Sequence, residues 1–134
     1  MSDFLFIYGT LLPGEAVADV ANIVQQLHRL GPAYVHGRLY DLGEYPGAIL
    51  DAAAETKIEG EVFELSTDPS VLSALDSYEG YDLADPTNSL FIRIKSPVRL
   101  LDGREIESWM YVYNRDPGKA LLIRDGNYRK SKAA

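Results

Sequence analysis

Residues 90–113 read LFIRIKSPVRLLDGREIESWMYVY, two β-prone runs, Leu90 to Leu101 and Ile106 to Tyr113, that meet at Leu101-Asp102-Gly103-Arg104. Asp-Gly at such a junction is a hairpin signal, because glycine takes the positive φ that a tight turn between twisted strands requires. The two runs are therefore antiparallel neighbours. Upstream, Ala33 to Leu42, Ala48 to Asp51 and Lys57 to Leu65 read as further strands, separated by Gly43-Glu44-Tyr45-Pro46-Gly47 and by Ala52-Ala53-Ala54-Glu55. In the third of these, Ile58, Gly60, Val62 and Glu64 alternate with Glu59, Glu61 and Phe63, a broken pattern that leaves the choice of faces open. Phe4-Leu5-Phe6-Ile7-Tyr8, cut off by Gly9, is a short aromatic-rich run that fits a buried strand better than a helix.

Helical spacing occurs in two places. From Glu15 to Leu30, Val17, Val20, Val24 and Leu27 recur on one face with Ile23 and Leu30 beside them, and Gly31-Pro32 ends the run. The second helix spans Pro69 to Glu79, with Thr67-Asp68-Pro69 as its start and Gly80 at the C-terminal cap position. Two helices and six strands joined mostly by short turns predict an α+β domain whose sheet is strongly curved or closed. A doubly wound parallel sheet needs more crossover helices than this.

The chain has 134 residues, 46 % of them hydrophobic, enough for one domain over 1–134 with a core of its own. With no cysteine, disulfides and thiolate nucleophiles are excluded. The net charge of −7 argues against a nucleic-acid groove, which draws its affinity from clustered Lys and Arg. That charge is uneven: residues 115–134 carry six basic and two acidic side chains, net +4, against −11 for those before them. No long apolar run suggests a membrane span, and Met1-Ser2-Asp3-Phe4 lacks the basic flank and apolar core of a signal peptide, so a cytoplasmic location is expected.

The segment Gly9-Thr10-Leu11-Leu12-Pro13-Gly14 has the glycine spacing of a phosphate-binding loop, yet Glu15-Ala16 stands where Lys and Ser/Thr are required. Nucleotide binding is thereby disfavoured. The remaining readings are an ordinary turn, or a strand-to-helix loop whose free N–H groups suit a carboxylate or carbonyl oxygen. Glu79 shares a stripe of the second helix with Leu72 and Leu75, with Val71 and Tyr78 widening its apolar side, so it points toward the core unless the helix end frays. Partial desolvation, the helix dipole and the nearby Asp76 would each raise its pKa, the direction a general base near neutral pH needs. His28, on the first helix, and His36, on the next strand, have no Ser or Cys constellation around them and match no zinc spacing, so no metal is expected. The nine tyrosines read mostly as packing residues with a wet hydroxyl. Arg93, inside an apolar strand run, either faces outward or turns inward to meet an acid.

In order along nearly the whole chain, these segments resemble the γ-glutamylcyclotransferase-like superfamily, which includes γ-glutamylcyclotransferase, γ-glutamylamine cyclotransferase and the AIG2-like proteins. Phe6-Ile7-Tyr8-Gly9-Thr10-Leu11 is similar to its opening Tyr-Gly-Ser/Thr-Leu motif, and Gly37-Arg38-Leu39-Tyr40-Asp41-Leu42 with Tyr45-Pro46-Gly47 to its second block. Gly60-Glu61-Val62-Phe63 and Leu75-Asp76-Ser77-Tyr78-Glu79-Gly80 resemble the strand and the helix that ends in a catalytic glutamate, and Ile123-Arg124-Asp125-Gly126-Asn127-Tyr128 a closing Ile-x-x-Gly-x-aromatic element. Thr10 stands where many members have Ser, and Phe91 where many have Tyr.

The resemblance implies a small closed β-barrel with flanking helices and a pocket at one end. It also implies an intramolecular cyclisation of a γ-glutamyl amine or small γ-glutamyl peptide to 5-oxoproline, with Glu79 as general acid/base. Tyr8, Gly9, Thr10 and Leu11 would hold the γ-glutamyl moiety largely through backbone N–H groups, with Tyr45 and Tyr111 as further binding residues. No cofactor or metal is called for, and the expected partner is the small-molecule substrate alone, on a monomer or weak homodimer. A non-catalytic small-molecule-binding domain of the same fold is the alternative.

Overall fold

The computed structural model describes residues 3–9, 23, 27–43, 45–65 and 68–128. In chain order the elements are β1 (Phe4–Ile7), β2 (His28–Asp41), β3 (Pro46–Leu50), β4 (Lys57–Glu64), helix α1 (Pro69–Glu79), a 3₁₀ turn (Pro86–Asn88), β5 (Phe91–Leu100), β6 (Glu105–Tyr113) and β7 (Leu121–Leu122). Five strands close a mixed barrel in the order β2-β4-β1-β6-β5, and β5 returns to β2 through the pairs Ala33↔Leu100 and Tyr34↔Arg99. β1 runs parallel to β6 and antiparallel to β4. The other pairings are antiparallel, including the β5–β6 hairpin read from Asp102-Gly103. The later part of the 14-residue β2, from Gly37 onward, leaves the barrel to pair with β3 and β7.

The core has two compartments, and β1 separates them. Phe6 and Tyr8 point into the barrel with Val35, Leu39, Val62 and Met110, while Leu5 and Ile7 face Phe63, Phe91 and Leu75 in the layer beneath α1. A strand buried on both faces has no polar side to show, which is why its sequence is a continuous apolar run. The broken alternation of β4 has a similar cause. Ile58 and Val62 enter the barrel, Phe63 joins the α1 layer, and Gly60 lets β1 approach so closely that a Cβ there would lie 2.2 Å from the Ile7 carbonyl oxygen.

Two expectations are corrected. The first predicted helix lies mostly outside the described residues; Ile23 is helical, but His28 to Leu30 belong to β2, where His28 and Arg29 pair with Glu64 and Phe63. Gly31-Pro32, read as a helix stop, lies beside a β-bulge that shifts the register between Arg29 and Gly31, a place where a sheet tolerates proline. β7 went unread because a two-residue strand has no period to detect. The segment carrying it is part of the domain, since Ile123 and Tyr128 are buried in the barrel core.

Candidate active site

Local sequence fixes α1 at both ends. The Asp68 side chain accepts from the Ser70 backbone N–H at 3.0 Å, and Pro69 occupies the first helical position. At the other end Gly80 takes the left-handed conformation (φ 72°), and its N–H and that of Tyr81 return to carbonyls of the last turn. This closed terminus keeps Glu79 within a formed helix. Its side chain enters a cavity whose floor is the end of β1, Phe6 to Gly9, and whose rim includes Tyr45 and Pro46.

Burial pushes the Glu79 carboxyl up to about 7, and Glu79 has no hydrogen-bond or ion-pair partner among the described residues. Asp76 is not one of the causes, contrary to the sequence-based expectation. Its carboxylate is engaged by Arg93, with Nε 2.8 Å from Oδ1 and Nη2 3.2 Å from Oδ2, and by the Tyr111 hydroxyl at 2.7 Å. An Asp whose charge is matched in this way exerts little repulsion on its neighbour. Arg93, left open between two orientations, therefore turns toward the acid, and its guanidinium also lies 4.3 Å from the Trp109 ring centroid.

The tyrosines divide by depth. Tyr8 is buried, and its hydroxyl donates to the Tyr111 carbonyl at 2.5 Å, across 103 residues of sequence. Burial and the nearby Glu79 raise its pKa well above the ordinary phenol range. Tyr111 lines the same cavity and is raised by burial, by Asp76 and by Glu79. Tyr45 sits half-buried on the rim, its ring 5.7 Å from that of Phe91. Gly9 is required by close approach, since a Cβ there would lie 2.6 Å from Pro46 Cγ. That contact brings the opening motif and the Tyr45-Pro46-Gly47 block together. Thr10 and Leu11 lie outside the described residues.

Besides a cavity of about 240 Å³ that it lines with Tyr78, Gly80 and Leu90, Glu79 borders one of about 20 Å³, the room of a single water molecule, together with Tyr8, Gly9 and Tyr111. A larger cavity, about 590 Å³, shares only Tyr8 with it and is lined by exposed groups such as Lys57, Glu59 and Asp125. The 20 Å³ cavity is the candidate site because it holds a desolvated carboxyl with no hydrogen-bond or ion-pair partner among the described residues. His28 and His36 lie away from it; His36 Nδ1 contacts the Ala54 carbonyl at 3.2 Å. Among the described residues no group of three or more His, Cys, Asp or Glu is placed to hold a metal ion, and no helix is long and apolar enough to cross a membrane.

The model of the family described as "Gamma-glutamyl cyclotransferase, AIG2-like" matches residues 5–130. The chain belongs to this family. Solved structures agree on the fold of this cyclotransferase-family chain. YkqA from Bacillus subtilis is similar at 22 % identity and TM-score 0.72 over 100 % of this chain, which spans 44 % of that one. An AIG2-like protein from Mus musculus is similar at 19 % identity and TM-score 0.72, covering 96 % of this chain and 88 % of its own. A protein described as gamma-glutamyl cyclotransferase is similar at 16 % identity and TM-score 0.61, over 91 % and 70 % of the two chains. A comparison with curated proteins found no match.

For this AIG2-like chain the sequence leaves open whether Arg93 meets an acid, and the structure identifies that acid as Asp76. The signal available for the pair was an arginine inside an apolar strand run and an aspartate three residues before the glutamate.

Proposed function

We propose that this chain is a γ-glutamylcyclotransferase that converts a small γ-glutamyl amine or peptide to 5-oxoproline and a free amine, with Glu79 as general acid/base. The observation that carries the reading is the Glu79 carboxyl, without a partner among the described residues, raised to about 7 by burial and set against Tyr8 and Gly9 just past the end of β1. A base of that pKa is half ionised near neutral pH and can both take and return a proton.

In the proposed reaction, Glu79 accepts a proton from the substrate's α-ammonium. The freed amine attacks the γ-carbonyl carbon, closing a five-membered ring and placing negative charge on the carbonyl oxygen. Backbone N–H groups of the Tyr8–Leu11 segment stabilise that oxyanion. Collapse breaks the original amide C–N bond as protonated Glu79 gives its proton to the departing nitrogen; Glu79 then takes the second proton from the ring nitrogen, which attack left cationic, and passes it to the released amine. Atoms balance with no water, metal or cofactor consumed. The protein's main contribution is to hold the flexible γ-glutamyl chain in the folded shape from which the amine reaches its own carbonyl.

The test is 5-oxoproline formation, followed by mass spectrometry, across a panel of γ-glutamyl amino acids, amines and dipeptides. For the substrates that turn over, Glu79→Gln is expected to lower kcat by about 10²–10⁴-fold while leaving affinity within a few-fold, and the wild-type kcat profile is expected to fall on the acid side of about pH 7. Binding without turnover by the wild type across the whole panel would favour the non-catalytic binding domain.

A further inference from the structure

A tyrosine hydroxyl can donate one hydrogen bond and accept others, so what it offers a ligand depends on where its hydrogen already points. At Tyr111 that hydrogen goes to Asp76 Oδ1. Asp76 also accepts the two-pronged contact of Arg93, and the pair is largely withdrawn from water, the side chains being 9 % and 14 % exposed for Arg93 and Asp76. The hydrogen of Tyr8 is likewise taken, by the Tyr111 carbonyl. The deep polar side chains at the Glu79 cavity are thus two phenol oxygens whose hydrogens are already taken and a carboxyl that, once ionised, only accepts, among apolar walls such as Phe6 and Phe91.

We propose that Asp76 and Arg93 are positioning residues that fix Tyr111 as an acceptor, so that Glu79 and Tyr111 together receive the N–H groups of the substrate's α-ammonium. This rests on the cyclotransferase reading and adds which end of the γ-glutamyl group meets this wall. An ammonium brings three donors and a positive charge, matching acceptors beside a carboxylate. An α-carboxylate in the same place would meet the like charge of ionised Glu79 and two phenols with no hydrogen to offer, so it belongs at the backbone N–H side of the site. Neither Asp76 nor Arg93 touches the substrate. Their effect passes through Tyr111, which holds one N–H while Glu79 removes a proton from the same nitrogen.

The test compares two ligands that differ only at the α-carbon: a γ-glutamyl alkylamide and the corresponding glutaryl alkylamide, which lacks the α-amine. Binding is measured by calorimetry in a Glu79→Gln background, where turnover is blocked, so the result stands whether or not the wild type forms 5-oxoproline. Adding Tyr111→Phe is expected to weaken the γ-glutamyl amide about tenfold and the glutaryl amide less than twofold. Asp76→Asn is expected to lower the same selectivity ratio, a readout that general loosening of the fold would not move. If Asp76→Asn does not fold, Tyr111→Phe alone decides. Equal weakening of both amides, no weakening of the γ-glutamyl amide, or no preference for it before Tyr111 is changed would each overturn the proposal.

Discussion

The burial of Glu79 makes itself felt in stability. Its pKa is raised from 4.5 to about 7 by burial, so the folded state holds this proton more tightly than the unfolded chain does. The associated stabilisation is fully present below about pH 4.5 and is lost as pH rises through 7, because the ionised carboxylate must then stay desolvated. At about 1.4 kcal/mol per pKa unit the change is on the order of 3 kcal/mol. Urea melts at pH 5 and pH 8 are expected to show that loss in the wild type, over and above other titrations, and a smaller one in Glu79→Gln. The inward aim of Glu79 was legible because Leu72, Leu75 and Glu79 share one helical face, a purely local fact. The role of Asp76 was not, because its partners Arg93 and Tyr111 are 17 and 35 residues away on other elements.

Elements whose ends are written locally were read closely, and those fixed by partners were not. Helix α1 runs from Pro69 to Glu79 as its capping residues dictate. The start of β2 was mistaken for helix because Leu27 and Leu30 satisfy a helical period equally well, and only β4 settles the choice by pairing with His28 and Arg29. The closing segment depends on a similarly remote contact. Gly126 adopts φ 68°, its carbonyl accepts from the Glu59 N–H at 2.8 Å, and a Cβ there would lie 1.6 Å from the Lys57 carbonyl oxygen. Gly126→Ala is expected to cost about 2–3 kcal/mol or more, since backbone must move on one side or the other. Gly118→Ala, at φ 56° with open space around it, carries the backbone strain alone and is expected to cost about 1 kcal/mol. Denaturant midpoints of the two variants check the difference.

At the scale of the molecule, the barrel is sealed by contributions from segments that composition alone would set apart. Residues 115–134 have the opposite net charge to the rest, yet Ile123 and Tyr128 lie in the barrel core, 7 % and 5 % exposed. Ile123→Ala is expected to destabilise the whole domain by about 2–4 kcal/mol in a single cooperative transition; a melt that splits into two steps would show that this segment folds apart from the barrel. The curved, closed sheet was legible from its short turns, whereas the parallel β1–β6 contact was not, because no turn links those strands.

That contact also orders events in time. Leu5 pairs with Trp109, and Tyr8 reaches Tyr111 across 103 residues, so the wall facing Glu79 joins regions separated by most of the chain. Closing so long a loop is entropically unfavourable and slow compared with forming α1 or the β5–β6 hairpin. A refolding molecule can therefore regain much of its helix and hairpin content while the pocket is still unbuilt, and during synthesis the pocket has no complete wall until β6 has emerged. Ligand binding at Glu79 thus reports finished assembly, a later milestone than recovered secondary structure.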